Sequence, residues 1–375
     1  MKYIEIESND ALIEILKNNK QIKHFAFQDI DFTKITGLTR DKTFEDCLFL
    51  GCTIPDYIHS DCFKNCLIFP KIDVPYNAFI SHLYNREHLF GGYELGNPSS
   101  YENTLDKIIY NHYLQTGKEA DDIKETLARR LHDHSVTDAL YDFLAQFDEK
   151  KIVAIMGGHS LPRGDQNYIK VAQISKKLTE FDYLMVSGGG PGAMEATHLG
   201  AWFAHKSKED LLTAINILSD APSYKDRLWI DKAFEVLKMF PDTTKPSLGI
   251  PTWLYGHEPP TPFATHIAKY FANSVREDGL LAIAKGGVIF TPGSAGTIQE
   301  IFQDATQNHY LSYGYASPMV FFDKHYWTNE RPIYPLLKQM TKEEKYQNML
   351  LSIYDETNQI VDEILQFTKT SLQTT

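Results

Sequence analysis

The chain has 375 residues, 43% hydrophobic and 23% charged, with 37 Lys and Arg against 49 Asp and Glu and a net charge of −12. That length suits one large domain with a smaller one, or two domains. The acidic balance argues against a nucleic-acid partner, although one small phosphate needs only backbone amides and a single Arg, and the longest apolar runs are strand-sized rather than membrane-spanning.

The opening Met1-Lys2-Tyr3-Ile4-Glu5-Ile6-Glu7 lacks the apolar stretch of a signal peptide, so a cytoplasmic location is expected. Residues 1–75 read as a small strand-rich module. Phe27 and Phe32, Phe44 and Phe49, and Cys47 and Cys52 are each five apart, which predicts short rungs in a small coil of β-structure. The cysteines Cys47, Cys52, Cys62 and Cys66 do not have the spacing of paired zinc knuckles. They are expected to be small buried residues, not metal ligands or disulfides.

Residues 76–150 form a helical connector in this reading. An amphipathic helix spans 121–131, and Ser135-Val136-Thr137-Asp138 resembles a capping box that starts a second helix over 136–147. Between them lies His132-Asp133-His134. Two His at i and i+2 point to opposite sides of a helix, so hydrogen bonding at a helix end is expected and no metal.

From Lys151 the chain alternates short apolar runs with helical stretches. Strands are predicted at 152–156, 183–186, 247–253, 288–290 and 319–322. Helices are predicted at 165–179, 191–204, around 266–284 and at 297–308, followed by a helical tail from Pro332 in which 358–368 packs on the domain and 370–375 are loose. Apolar strands alternating with helices give an α/β domain over 151–375, a doubly wound parallel sheet covered on both faces. Ligands of such sheets sit outside the carboxyl ends of the strands. Three loops converge there: Gly157-Gly158-His159-Ser160, then Ser187-Gly188-Gly189-Gly190-Pro191-Gly192-Ala193-Met194-Glu195, then Pro292-Gly293-Ser294-Ala295-Gly296-Thr297-Ile298-Gln299-Glu300.

Strand, glycine turn and helix start together point N–H groups and a positive helix end at an anion, which implies a bound phosphate. Gly293 and Gly296 allow close approach, and Thr297 offers a hydroxyl. Glu300 lies one turn further along the helix, where its carboxylate would hang beside whatever sits on the turn. Arg276 precedes the strand leading into this turn and is a candidate grip on phosphate or sugar. Gly188, Gly190 and Ala193 match a dinucleotide fingerprint loosely. No strand ending in an acid follows about twenty residues on, so NAD is not expected.

The run Pro292 to Glu300 resembles the P-G-G-x-G-T-x-x-E signature of the LOG ("lonely guy") phosphoribohydrolases, often mislabelled lysine decarboxylases. The run Gly188 to Glu195 resembles that family's other glycine motif. Its G-P-G-A-M-E-A form, with Glu258-Pro259-Pro260-Thr261-Pro262-Phe263, is similar to the larger bacterial nucleotide 5′-monophosphate nucleosidases. The resemblance covers about residues 151–327. It implies a Rossmann-like fold, a homodimer or higher homo-oligomer, no cofactor, and hydrolysis of a nucleoside 5′-monophosphate to free base and ribose 5-phosphate. Arg276 and Glu300 fall on the family's catalytic pair. Gly157, Gly158, His159, Ser160, Arg163, Ser187, Gly188, Gly189, Gly190, Pro191, Gly192, Met194, Glu195, Gly293, Ser294, Ala295, Gly296 and Thr297 are the expected nucleotide and phosphate contacts, with His159 and Arg163 toward base or ribose. Ser294 stands where the family has its second glycine, and Thr291 is read as one extra residue in the gap. An ionised Glu300, its pKa held low by Arg276, would stabilise an oxocarbenium-like ribosyl cation and orient water. A holder of a phosphorylated ligand that does not cleave it is the alternative.

Overall fold

A computed structural model describes residues 3–39, 41–58 and 60–372. The chain forms two compact units, Met1–Leu83 with Asn111–Phe143 and Tyr84–Tyr110 with Leu144–Thr375. The stretch 76–150 is therefore divided between the units and is not a connector of its own.

The first unit begins with seven short strands: β1 (Ile4–Ile6), β2 (Gln21–Lys23), β3 (Phe25–Gln28), β4 (Thr43–Glu45), β5 (Leu48–Leu50), β6 (Phe63–Lys64) and β7 (Leu67–Phe69). They pair only in parallel, in two rows ordered β1-β3-β5-β7 and β2-β4-β6. Ile22 stands over Phe44 and Phe44 over Phe63, while Phe27 stands over Phe49 and Phe49 over Ile68. This is a short parallel coil. His24, Asp46 and Asn65 turn its corners with φ of 60°, 49° and 55°. Polar side chains of this kind tolerate the left-handed region better than β-branched ones do.

The five-residue beat arises because Phe44 and Phe49 lie on either side of one corner and both turn inward, with ring centroids 5.3 Å apart. Phe27 packs on Phe49 at 5.0 Å. Cys47 and Cys52 also sit just past corners, where their thiols donate to the carbonyls of Ile22 and Phe27. Burial pushes both thiols up to about 11, which disfavours the thiolate a metal needs. Among the described residues, only Glu5, Asp138 and Asp142 come close enough to share an ion, and all are carboxylates.

The expected break near residue 132 is absent. One 22-residue helix runs from Ile123 to Leu144. His132 therefore lies mid-helix, buried, with Nδ1 3.2 Å from Asp133 Oδ1 and its ring edge-on to Tyr76, while His134 is exposed. Ser135 is no cap; its hydroxyl donates to the carbonyl of Ala78. Tertiary packing overrides the local capping signal here.

The second unit is an α/β domain on a seven-stranded, wholly parallel sheet. Its strands are β8 (Ile152–Met156), β9 (Leu184–Ser187), β10 (Ser247–Gly249), β11 (His266–Ile267), β12 (Gly287–Phe290), β13 (Pro318–Phe322) and β14 (Leu350–Tyr354). Their order is β11-β10-β9-β8-β12-β13-β14. Val153, Ile155, Met185, Ile289, Val320 and Phe322 face a core built with the helices Gln166–Glu180, Ala193–Trp202, Lys208–Leu218, Trp229–Met239 and Thr357–Leu372. The alternate residues Ala154, Val186, Val288, Phe290 and Phe321 are as deeply buried on the other face. Burial on both faces is why these strands read as continuous apolar runs.

Two expectations change. The long helix expected around 266–284 resolves into β11, an extended stretch, and the helix Asn273–Ile283. The tail is not wholly helical either, because β14 joins the sheet edge beside β13. The helix Thr357–Leu372 includes Thr370, expected to be loose; 373–375 lie outside the described residues. Among the described residues, no helix is long and apolar enough to cross a membrane.

Candidate functional site

Strand order reverses at β8. The chain first builds outward through β9, β10 and β11, then returns to lay β12 on the other side of β8. A crevice at such a switch point is the usual ligand position in open α/β sheets. The loops leaving β8 and β12 meet there, with the Gly158 N–H donating to the carbonyl of Pro292 at 3.1 Å. The loop leaving β9 joins them through the Ala193 N–H, which donates to the carbonyl of Gly158 at 3.2 Å. The three glycine loops share one rim.

The two glycine turns differ in what they offer. The turn after β12 leads into the helix Ala295–Tyr310, whose N-cap Ser294 makes no side-chain cap. The first bond into this helix is from the Ile298 N–H to the carbonyl of Ser294, 3.0 Å. The amides of Ala295, Gly296 and Thr297 precede it, and Ser294, Ala295 and Gly296 are exposed while Thr297 is buried. Uncapped amides at a positive helix end make an anion seat. Gly293 is buried behind them, its carbonyl accepting the Tyr326 hydroxyl at 2.5 Å.

The turn after β9 is enclosed instead. Ser187, Gly188, Gly189, Gly190, Pro191 and Gly192 are all buried. The Gly189 N–H donates to Ser187 Oγ at 3.1 Å, and its carbonyl accepts from the Thr261 N–H at 2.8 Å. Ser187 Oγ also lies 2.8 Å from Nε2 of buried His198, whose Nδ1 is 2.9 Å from Ser247 Oγ. Desolvation lowers His198 to about pH 3, so it stays neutral and acts as a strut beneath the turn. The turn after β9 is thus enclosed, whereas the turn after β12 is exposed at Ser294, Ala295 and Gly296. Gly192 at φ 69° explains one of its glycines, since a Cβ there would stand 2.4 Å from the Gly158 carbonyl oxygen.

Arg276, on the helix Asn273–Ile283, connects the parts. Its Nε donates to the carbonyl of Ile250 at 2.9 Å, and its guanidinium lies along Gly188. Glu300, on the next helix, is half-buried and within reach of the Arg276 charge. The expectation of a low pKa fails all the same. Burial of the carboxyl is the larger effect, the Arg276 charge opposes it, the Glu277 charge adds to it, and Glu300 is pushed up to about 7. Glu277 itself accepts from Asn273 Nδ2 and Gln299 Nε2.

Arg163 and Glu195 are brought together in the protein interior. Arg163 Nε and Nη2 donate to the two Glu195 carboxylate oxygens at 2.7 and 2.5 Å, and both side chains are essentially inaccessible. The Tyr168 hydroxyl donates to Glu195, and Arg163 Nη1 caps the carbonyls of Ala221 and Trp229. Buried and bonded to one another, they brace the rim from beneath. Met194, the half-buried residue between the turn and Glu195, lays its sulfur against Gly188.

His159 and Ser160 are exposed on the β8 loop beside half-buried Gly157 and Gly158. His159 stands edge-on to Tyr224, with Nδ1 3.7 Å from a carboxylate oxygen of Glu258. Glu258 and Tyr224 were not expected site residues. The Glu-Pro-Pro run marked the first; nothing in the spacing marks Tyr224, which comes from a loop after the helix Lys208–Leu218.

No protein-family model matches the chain, and no curated protein does. Among solved structures, a molybdenum cofactor binding protein from the phototrophic bacterium Rippkaea orientalis aligns at 12% identity over 58% of this chain and 96% of that one, with a TM-score of 0.35. A likeness of that size does not bear on function.

Proposed function

We propose that the second unit is a nucleoside 5′-monophosphate glycosidase of the LOG type. The observation that carries this reading is Glu300: a half-buried carboxyl one helical turn beyond an uncapped, exposed helix start, within reach of the Arg276 charge. The helix start seats the 5′-phosphate, and Arg276 holds the ribosyl phosphate against the first glycine turn. The C1′–N bond breaks with its electron pair leaving on the base. Ionised Glu300 stabilises the ribosyl cation and takes a proton from the attacking water, whose oxygen bonds C1′. The proton that Glu300 took from water passes, directly or through solvent, to the ring nitrogen of the departing base, so neutral base and ribose 5-phosphate are formed and Glu300 is ionised again.

The raised pKa of Glu300 favours a second reading, in which a neutral carboxyl holds a nucleotide without cleaving it. One experiment tests both. Purified protein is incubated with a panel of ribo- and deoxyribonucleoside monophosphates, and free base and ribose 5-phosphate are measured beside Glu300→Gln. Release that Glu300→Gln abolishes supports the enzyme; an intact panel at high protein concentration rejects it. Retention of an uncleaved nucleotide in native mass spectrometry then favours the holder. The reading carries a cytoplasmic location and a homodimer or larger homo-oligomer, the latter tested by light scattering.

A further inference from the structure

Resting on the glycosidase reading, the geometry points to Glu258 as the residue that reads the base, and to a guanine-type base as the one it selects. The turn Gly188–Gly190 has different chemistry at its two ends. Arg276 lies along Gly188, whereas a Glu258 carboxylate oxygen is the polar atom nearest Gly190, 3.9 Å from where a Cβ would stand. A ligand whose ribosyl phosphate is gripped at the Arg276 end, running along the turn, presents its base to Glu258.

Glu258 is suited to reading. Its side chain is 15% exposed, and among the described residues no cation neutralises it at hydrogen-bond distance: His159 and His257 both approach the same oxygen at 3.7 Å. Its backbone is fixed by the bond from its own N–H to the carbonyl of Tyr255, 2.8 Å. Pro259 and Pro260 follow it, buried, and restrict the chain further. The charge of Glu258 also reaches the Tyr224 hydroxyl and helps raise its pKa. Tyr224 and His159, edge-on at 5.9 Å, form an aromatic wall beside the carboxylate.

A fixed carboxylate only accepts, and with two oxygens it matches two adjacent N–H donors. Of the common bases, guanine presents such a pair, N1–H beside the N2 amino group. Hypoxanthine keeps only N1–H, and adenine places an acceptor at N1.

The test measures base release by the full chain from GMP, IMP and AMP. The expected kcat/KM order is GMP, then IMP, then AMP. Glu258→Gln keeps the shape but loses the charge and one acceptor, and is expected to lower kcat/KM for GMP roughly tenfold to a hundredfold, mainly through KM, with AMP changed only a few-fold. Equal rates for GMP and AMP in the unaltered protein overturn the inference. So does an equal loss on all three substrates in a Glu258→Gln protein with unchanged melting temperature. Calorimetric binding of GMP and AMP to Glu300→Gln, with and without Glu258→Gln, gives a readout independent of turnover. If no nucleotide is cleaved yet GMP binds tighter than AMP through Glu258, the glycosidase reading fails and the base assignment stands. If the two bind alike, the base assignment fails.

Discussion

Gly157 and Thr291 share a space that holds one side chain. A Cβ on Gly157 would stand 1.9 Å from Thr291 Oγ1 and 2.8 Å from the Cβ of Ala193. Thr291 continues the β8–β12 ladder, its N–H donating to the carbonyl of Met156 at 2.8 Å, so it cannot retreat. Gly157→Ala is therefore expected to cost about 1–3 kcal/mol and to pry the β8 and β12 loops apart. Adding Thr291→Ala should recover part of the loss, because the hydroxyl clash goes but Ala193 remains. Denaturant unfolding of the two single variants and the double variant measures the coupling; simple additivity would contradict the shared space.

Glu300 sets a pH profile. Its carboxyl is raised from 4.5 to about 7, so at pH 6 most molecules carry it protonated and without the charge on which the proposed reaction relies. Base release should rise with pH through about 7 and level off above it. Arg276 opposes the raised pKa, so Arg276→Met should push the midpoint of any residual activity more alkaline, while Arg276→Lys should keep it nearer the original. Glu300→Gln should abolish the profile and lower the rate roughly 100- to 10,000-fold.

Asp304, one turn beyond Glu300, is 2% exposed, and its Oδ2 has no hydrogen-bond partner among the described residues. It lines a small cavity with Lys285, Asn308 and Tyr315. Burial raises its carboxyl from 3.8 to about 8. Between those values the folded chain holds a proton that the unfolded chain releases, so the contribution to stability is complete below pH 3.8 and is lost as pH rises through 8. Asp304→Asn should raise the melting temperature at pH 8 by roughly 5 °C and change it little at pH 4. A variant whose melting temperature tracks the parent at every pH would show the carboxyl is not neutral there.

The Arg163–Glu195 pair should behave as a brace. Glu195→Ala leaves a buried guanidinium without its carboxylate and should cost about 3–5 kcal/mol. Replacing both residues with apolar ones of similar volume should cost less. Nucleotide affinity per folded molecule should change only modestly, and a selective loss of affinity with full stability would mean the pair faces the ligand.

Much of the second unit could be read from sequence because its signals are local. Fully apolar runs such as 152–156 and 319–322 announce buried parallel strands, and a glycine turn after a strand announces a helix start. The five-residue phenylalanine beat likewise announced the coil, since each corner forces the next inward residue into register. Four features escaped because their causes are not local. The two-residue β11 has no periodicity to detect, and β14, half-exposed at the sheet edge, has no continuous buried pattern. The capping-like Ser135 was overruled by packing against Ala78. The pairing of Arg163 with Glu195 joins residues 32 apart in the chain.

The sequence by itself determined the central alternation of buried strands, glycine turns and helices and which residue types follow those strands. Only the tertiary structure decided which of those residues are enclosed and which exposed, and that the Glu300 carboxyl is pushed toward its neutral form. Charge balance and exposure depend on what packs against a group from elsewhere in the chain: desolvation outweighs Arg276 at Glu300, packing encloses one glycine turn and leaves the other open, and the fold brings Glu258 to the end of the first.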